Sequence, residues 1–226
     1  MQSQNLIQQT ELKGEISLSS GFFWTELSTD CQIQIAEGQE VKLLIIARPQ
    51  SKKLNIAVTL DNEARLEIVE YIWGKDEQKF GENWKIIHQG RNSVSRFSVK
   101  SVLNGASETD ILADVFIPAG GNGSDTFLKL QSLLLSPEAH AKAIPSLEII
   151  PNEVKAGHAA TMGKVDEDIL FYLESRGFER EQAERLLVEA FVKDGLKQFS
   201  SVEENLMLEL ERILLEKLDG GKIYSS

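Results

Sequence analysis

The stretch SLEIIPNEVKAGHAATMGKVDEDILFYLESRGF, from Ser146 to Phe178, contains a change in the periodicity of the chain. Upstream of it, apolar and polar residues alternate, as in CQIQIA from Cys31 and LNIAVTL from Leu54. This period is typical of strands with one buried face. From about residue 165 onward, apolar residues recur every three or four positions, which indicates helices. The sequence therefore predicts a β-rich unit followed by a helical one.

The β-rich part consists of short strand signals separated by turn formers. Runs such as RLEIVEYIW, SRFSVKSVL and ILADVFIPA alternate with turn clusters such as DNEA, NGASE and AGGNGSD. Many short strands without a convincing helix indicate a sandwich, a barrel or a β-solenoid. No short exact repeat is visible, and IQIAEGQEVKLLIIA is also compatible with a cupin-like jelly roll. The residues alone leave these β architectures open.

Three helices are predicted in the second part of the chain. The first begins at Asp166, a favourable N-cap, and stops at Gly177. The third begins with a capping box formed by Ser200 and Glu203. The apolar stripe of the second helix comprises Ala183, Leu186, Leu187, Ala190 and Phe191, and that of the third comprises Val202, Leu206, Leu210, Ile213 and Leu214.

The composition argues against several classes of function. A net charge of -11 in 226 residues, without a cluster of Lys or Arg, argues against nucleic acid or an anionic membrane as a partner. The longest apolar runs, such as LLIIA, are far shorter than the roughly 20 residues that span a bilayer, and the N-terminus does not look like a secretory signal. Because Cys31 is the only cysteine, we expect no intrachain disulfide, a cytoplasmic protein, and a buried, inert thiol.

The sequence lacks the common catalytic motifs. It contains no phosphate-binding GxxxxGK[ST] loop, no GxSxG nucleophile elbow, and no CxxC or HExxH metal motif. We therefore expect a protein that is not an enzyme. Of the three histidines, we expect His88 at a strand edge and His140 in a solvated turn. His158 lies instead among small residues, between a strand-like run and a helix, and needs another explanation.

The segment LLLSPEAHAKAIPSLEIIPNEVKAGHAATMGKVDEDILFYLESRGFEREQAERLLVEAF resembles the C-terminal core of the SufB/SufD family, and is nearer to SufD. Four family motifs occur in order. They are a leucine-rich run with SPEA, a P-x-LEI strand, a VK-C-x-H-G-A-T-x-G turn and a DE-x-x-LFYL-x-SRG helix, which here occupy Leu133–Ala139, Pro145–Ile149, Val154–Gly163 and Asp166–Gly177. The resemblance is strong over about 130–191, weaker over about 90–130, and faint upstream.

The resemblance implies a fold and a context. Members of this family are right-handed parallel β-helices with a small C-terminal helical region. We therefore expect a flexible N-terminus over 1–11, a β-helix core over 12–165, a helical subdomain over 166–219 and a flexible tail over 220–226. Family members are noncatalytic scaffold subunits of SufBCD-type complexes in iron–sulfur cluster assembly. They bind the ABC-type ATPase SufC, and they pair as SufB with SufD or as a B-type homodimer.

The resemblance also implies a role for His158, because this residue aligns with the histidine of the family turn. That histidine is implicated at the subunit interface where the nascent cluster forms, and a neutral imidazole is a reasonable ligand for iron. One histidine cannot hold a cluster, so we expect no cofactor held by this chain alone and further ligands from a partner. The family cysteine is replaced here by Ala156. The local alternative is that His158 caps the last rung of the β-helix.

The third helix suggests where the ATPase binds. Leu208 and Leu215 lie nearly opposite its main apolar stripe and form a second small apolar face. Since the C-terminal helices of family members carry the ATPase site, we expect this pair among the contacts. Two alternatives stay open: a diverged SufD-like interaction protein without a cluster site, and a cupin-like small-molecule enzyme. The cupin is disfavoured because the three histidines occur in unrelated contexts.

Overall fold

A computed structural model of the chain describes residues 7–199 and 202–220. The described residues form thirteen β-strands followed by three α-helices, with a short 3-10 helix at Ala119–Gly121. The strands are β1 Ile7–Gln9, β2 Gly14–Leu18, β3 Gly21–Leu27, β4 Cys31–Ile35, β5 Glu40–Ala47, β6 Leu54–Leu60, β7 Arg65–Gly74, β8 Lys79–His88, β9 Val94–Leu103, β10 Glu108–Ile117, β11 Asp125–Leu134, β12 His140–Ile149 and β13 Lys155–Lys164. The helices are α1 Glu167–Ser175, α2 Arg180–Leu196 and α3 Glu204–Gly220.

The strands build a parallel β-solenoid of about five turns. Odd-numbered strands form a sheet of seven and even-numbered strands a sheet of six, and the neighbours in each sheet are two apart in the chain. Every pairing in the two sheets is parallel. This topology confirms the predicted parallel β-helix. It rules out the cupin-like jelly roll, whose strands are antiparallel.

The solenoid repeat is hidden in the sequence. Arg65, Val94, Asp125 and Lys155 occupy one register position on successive turns, a spacing of roughly 30 residues that is typical of solenoids. Two residues before Glu40, Arg65, Val94 and Asp125, which share this register position on four successive turns, the corner has a left-handed backbone, with φ of 68°, 57°, 54° and 80°. Glycine, glutamate, asparagine and glycine fill that corner, at Gly38, Glu63, Asn92 and Gly123. Backbone shape is therefore repeated without repetition of residue type.

The main core lies between the two sheets. The alternating residues of CQIQIA and LNIAVTL point their apolar members into this core, as predicted. Strand β5 departs from alternation because seven of its eight residues are buried. Its inward residues Val41, Leu43 and Ile45 enter the main core, whereas Leu44 and Ile46 face a second core beneath the helices.

The helices pack on the outer face of the odd-strand sheet and leave the end of the solenoid uncovered. The second core combines sheet residues with residues of α2 and α3, namely Phe22, Leu44, Ile46, Val69, Tyr71, Val102, Val188, Val192, Leu196, Phe199, Leu206, Leu210 and Leu214. The predicted stripe of α2 is partly wrong, because Leu186 is exposed and Val188 and Val192 are buried in its place. The stripe of α3 is confirmed at its three fully buried leucines.

The element boundaries agree with the prediction in the middle of the chain and differ at its start. Asp166 caps α1 by accepting hydrogen bonds from the Asp168 and Ile169 amides, and Gly177 ends it with a φ of 95°. Strand β1 lies inside the stretch expected to be flexible, so the solenoid begins before residue 12. Ser200 of the predicted capping box and residues 221–226 of the predicted tail lie outside the described residues. None of the described helices is long and apolar enough to cross a bilayer.

Candidate functional site

The two ends of the solenoid differ. At the N-terminal end, the edge strands β1 and β2 have three and five residues, and Leu12 between them is buried in the main core. At the C-terminal end, the edge strands β12 and β13 have ten residues each. Within the described ranges, β12 hydrogen-bonds only to β10 and β13 only to β11, so each strand has an open edge. A long open edge is a template for pairing with another chain.

His158 lies on the inner face of the last turn. In the register, it follows Phe97 and Leu128, both of which are buried in the main core. Its imidazole is nevertheless exposed, because the described residues contain no further solenoid turn that would cover it. His158 is therefore exposed because the last turn is uncovered, although the residue lies on the inner face of its strand.

The rest of this end is mainly apolar. Three further residues lie on the inner face of β13, in register with inner residues of β11: Ala156, Ala160 and Met162. Met162 is 51% exposed. From β12, Leu147 packs on the main core and Ile149 is partly exposed at its rim. We call this surface, formed by the inner faces of β12 and β13, the open end. It is an uncovered cross-section of the core with one imidazole in it, which is characteristic of a protein interface.

His158 lies between small residues, Gly157 and Ala159. Gly157 faces the outer side of the sheet, where the ring of Phe127 lies across it. A Cβ added at Gly157 would be 3.1 Å from that ring, so the glycine lets the aromatic side chain pack against the last strand. Among the described residues, no group of three His, Cys, Asp or Glu side chains could hold a metal ion.

The other predicted residues lie away from this end or face differently. Cys31 is buried in β4, and burial together with nearby carboxylates raises the pKa of its thiol to about 12. His140 is exposed at the start of β12, in register with Glu108 on the outer face. The expectation for His88 is wrong, because this residue is completely buried and bonded to Ser93 and Ser95.

The helices carry a second exposed apolar surface, and it is larger on α1 than on α3. Leu208 is 58% exposed, as the second-face prediction requires, but Leu215 is half-buried against the second core. On α1 only Leu170 is buried, whereas Phe171 is 72% and Tyr172 55% exposed. The exposed members of the α1 surface are Ile169, Phe171, Tyr172 and Phe178, with Leu186 on α2. The run ILFYL signals this surface, since consecutive apolar residues cannot all face one side of a helix.

These features define a class of protein, a parallel β-solenoid with helices packed on one of its sheets. Residues 25–191 match the family model for the SUF system FeS cluster assembly, SufBD core domain, and the chain belongs to this family. The resemblance seen in the motifs is thereby confirmed. The matching region extends well upstream of the stretch in which the motifs were recognised.

Several curated relatives of this chain are mycobacterial proteins. An iron–sulfur cluster assembly SufBD family protein of Mycobacterium tuberculosis is 29% identical over 158 residues, which cover 70% of this chain and 18% of that protein. One of Mycobacterium leprae is 33% identical over 158 residues, covering 66% of this chain and 40% of that protein. The chain thus spans well under half the length of these relatives.

Proposed function

We propose that this chain is a noncatalytic scaffold subunit of a SufBCD-like complex in iron–sulfur cluster assembly. It pairs through its open end with a second β-solenoid and contributes His158 to a cluster-forming interface. A SufC-like ABC ATPase binds its C-terminal helices. The observation that carries the proposal is the open end itself. There, the imidazole of His158 lies in an otherwise apolar surface, and the two strands that form this surface, β12 and β13, each have one edge without a partner among the described residues.

Pairing at the open end has a clear physical basis. Two ten-residue edges offer backbone donors and acceptors, and a partner strand added there continues the sheet by the mode used in β-augmentation. The same contact removes Met162 and Ile149 from water. Burial of apolar area contributes roughly 25 cal/mol per Å². Hydrogen bonding and apolar burial therefore favour the same partner position.

The chemistry of the ligands favours a cysteine-bearing partner over a second copy of this chain. Thiolates are the usual ligands of iron–sulfur clusters. A second copy would bring another His158 but no thiolate, because the only cysteine, Cys31, is enclosed in the main core. A SufB-like partner with an interface cysteine would supply the thiolate that is missing at Ala156.

The ATPase contact is best supported at the α1 surface. Phe171 and Tyr172 are large aromatic side chains that this chain leaves in water, and aromatic residues dominate the energetics of protein interfaces. Leu208 of α3 is exposed and remains a candidate contact, as predicted. Leu215 is better explained by its packing on the second core.

A substitution of His158 tests the proposal. We expect His158→Ala to leave folding intact and to lower the iron and sulfide content of the reconstituted complex severalfold, because a ligand is lost. His140→Ala is the matched control, since it removes the other exposed histidine of the last turn from its outer face. Equal cluster yields for both variants and wild type would exclude His158 as a ligand. A large fall in melting temperature would support the alternative that His158 caps the last rung.

A second candidate function follows from Ala156, which replaces the family cysteine. A SufD-like interaction protein without a cluster site would keep the open end and the α1 surface but bind no iron at the interface. Unchanged cluster yield for His158→Ala, combined with loss of complex after disruption of β13, would favour this alternative.

A further inference from the structure

His88 organises a hydrogen-bonded network inside the corner next to the open end. Its Nδ1 lies 2.7 Å from the Ser93 Oγ, and its Nε2 lies 2.9 Å from the Ser95 Oγ. Each hydroxyl continues to β11 or to the turn before it: Ser93 lies 3.0 Å from Ser124, and Ser95 lies 2.7 Å from Thr126. All five side chains are buried. The network therefore ties the even-strand sheet to two turns of the odd-strand side.

The geometry assigns a neutral imidazole with its proton on Nδ1. The Ser93 hydroxyl donates to the Gly90 carbonyl at 3.1 Å, so it accepts from Nδ1–H. The bare Nε2 then accepts from the Ser95 hydroxyl, which in turn accepts from Thr126. With a second proton on the ring, Nε2–H would donate to the Ser95 hydroxyl, and the direction of the hydrogen bond between Ser95 and Thr126 would have to reverse. It would also bury a charge, and none of the described carboxylates hydrogen-bonds to the ring.

The corner under this network supports the start of β13. Gly121 lies against the His88 backbone, where an added Cβ would be 2.4 Å from the His88 carbonyl oxygen. The Gly123 amide donates to the Glu153 carbonyl at 2.7 Å, and the Lys155 amide donates to the Ser124 carbonyl at 2.9 Å. The residues 121–126 therefore form the platform on which 153–158, and with it His158, is stacked.

We propose that His88 is a positioning residue for the open end: its neutral imidazole locks the 121–126 platform, and protonation unlocks the platform together with the start of β13. Arg96 of β9 and Asp125 of β11 are the charged groups that influence its pKa, and they form an ion pair with each other at 2.9 Å. Its neighbours in the even-strand sheet, Leu60 and Ile117, are apolar. The lock is a property of this chain alone, whereas its effect on partner pairing rests on the function proposed above.

The size of the effect follows from proton linkage. Burial lowers the pKa of His88 from 6.5 to about 4. Any local opening that exposes the ring restores the ordinary pKa, so opening becomes more favourable as the pH falls below about 6.5. Between pH 7.5 and pH 5, these two values predict a rise of about 30-fold in the opening equilibrium.

Hydrogen exchange of the isolated full-length chain tests the lock without any partner. After correction for intrinsic rates, we expect protection in 121–126 and 153–158 to fall by about 30-fold between pH 7.5 and pH 5. Protection in β5 serves as the internal control and should not change. In His88→Gln, which can still donate and accept hydrogen bonds but does not titrate, the platform should lose this pH dependence. The same dependence in His88→Gln, or none in wild type, overturns the proposal.

A measurement on the wild-type chain keeps the test decisive if His88→Gln does not fold. Nitrogen chemical shifts of the His88 ring should report a neutral Nδ1–H tautomer at pH 5.5. A ring that is already protonated at pH 5.5, or protonated at Nε2 instead, contradicts the lock. Partner pairing that weakens in acid for wild type but not for His88→Gln would extend the lock to assembly. Absence of pairing under all conditions would count against the proposed function and leave the lock standing.

Discussion

At the scale of single residues, two buried acids depart furthest from what the sequence predicts. Glu70 of β7 and Glu82 of β8 are completely buried and face each other inside the solenoid. The Glu82 carboxylate accepts a hydrogen bond from the Trp84 indole at 2.8 Å. The described residues place no cation in an ion pair with either acid. Burial raises the pKa of both carboxyl groups, and the repulsion between them raises that of Glu70 further.

Because of this buried pair, the free energy of unfolding falls as the pH rises. The unfolded carboxyl groups lose their protons near pH 4.5, whereas the folded pair retains a proton to higher pH. Stability is therefore fully present below the unfolded pKa and is lost as the pH rises, by up to about 1.4 kcal/mol per pH unit for one retained proton. We expect urea unfolding to show that the free energy of unfolding of wild type falls as the pH rises above about 4.5, and that it falls less in Glu70→Gln. Exposed Glu15→Gln is the control, and equal slopes in all three proteins would contradict the explanation.

At the scale of elements, the C-terminal half of α2 is fixed to the odd-strand sheet by polar contacts. The Tyr71 hydroxyl donates to the Val192 carbonyl at 2.7 Å. The Gln198 amide donates to the Ile68 and Arg96 carbonyls at 2.7 and 2.9 Å. These bonds join α2, and the residues just after its C-terminus, to the adjacent strands β7 and β9, and they give the helix one defined position on an otherwise apolar face.

Lys100 provides a test of this attachment. Its side chain is buried, its ammonium lies 3.1 Å from the Asp194 carboxylate, and it also lies 4.1 Å from the centre of the Phe191 ring. Removing Asp194 leaves the buried ammonium without its partner, and we expect Asp194→Asn to cost about 1–2 kcal/mol, less than for a fully buried pair because Asp194 is half exposed. Adding Lys100→Met should recover most of the loss in urea unfolding. A double variant less stable than Asp194→Asn would show that Lys100 contributes mainly through packing.

The elements also show how far the sequence determines this fold. Alternation in CQIQIA and LNIAVTL predicts the strands correctly because one face of each is buried and the other is wet. The caps at Asp166 and Gly177 predict α1 because capping is a local interaction. The position of the helices is not local: whether they cover the end or the side of the solenoid depends on which outer-face residues they meet. His88 shows the same limit, since its partner Ser95 is in turn bonded to Thr126, which lies 38 residues beyond His88 in the chain.

At the scale of the whole molecule, the chain presents two exposed surfaces, which the proposed function assigns to different partners. The open end is a strand edge with an apolar cross-section, and it suits another β-solenoid. The α1 surface is a set of aromatic side chains on a helix, and it suits a groove on a different protein. The open end includes His158, the predicted ligand. The α1 surface takes the place of the predicted face formed by Leu208 and Leu215 as the main candidate for the ATPase contact. The sequence indicates both regions through the family motifs, but only the register places His158 on the inner face.

If these surfaces act separately, substitutions in one leave the other intact. We expect Phe171→Ser combined with Tyr172→Ser to weaken binding of the SufC-like ATPase at least ten-fold, since a fully buried large apolar side chain contributes about 1.5–3 kcal/mol. Pairing at the open end should persist in this variant, and because both rings are largely exposed, its melting temperature should change little. Titration calorimetry and size-exclusion chromatography measure the two interactions.

Two leucines of α3 provide the matched comparison. Leu208→Ser removes an exposed side chain and should be neutral for folding, with weaker ATPase binding only if α3 belongs to the contact. Leu215→Ser removes a side chain that packs on the second core and should instead lower the free energy of unfolding, by about 1 kcal/mol for a half-buried leucine. ATPase binding within two-fold of wild type for the α1 double variant, together with strong weakening by Leu208→Ser, would move the docking surface from α1 to α3, because the ATPase would then engage the face of the third helix that points away from the sheet.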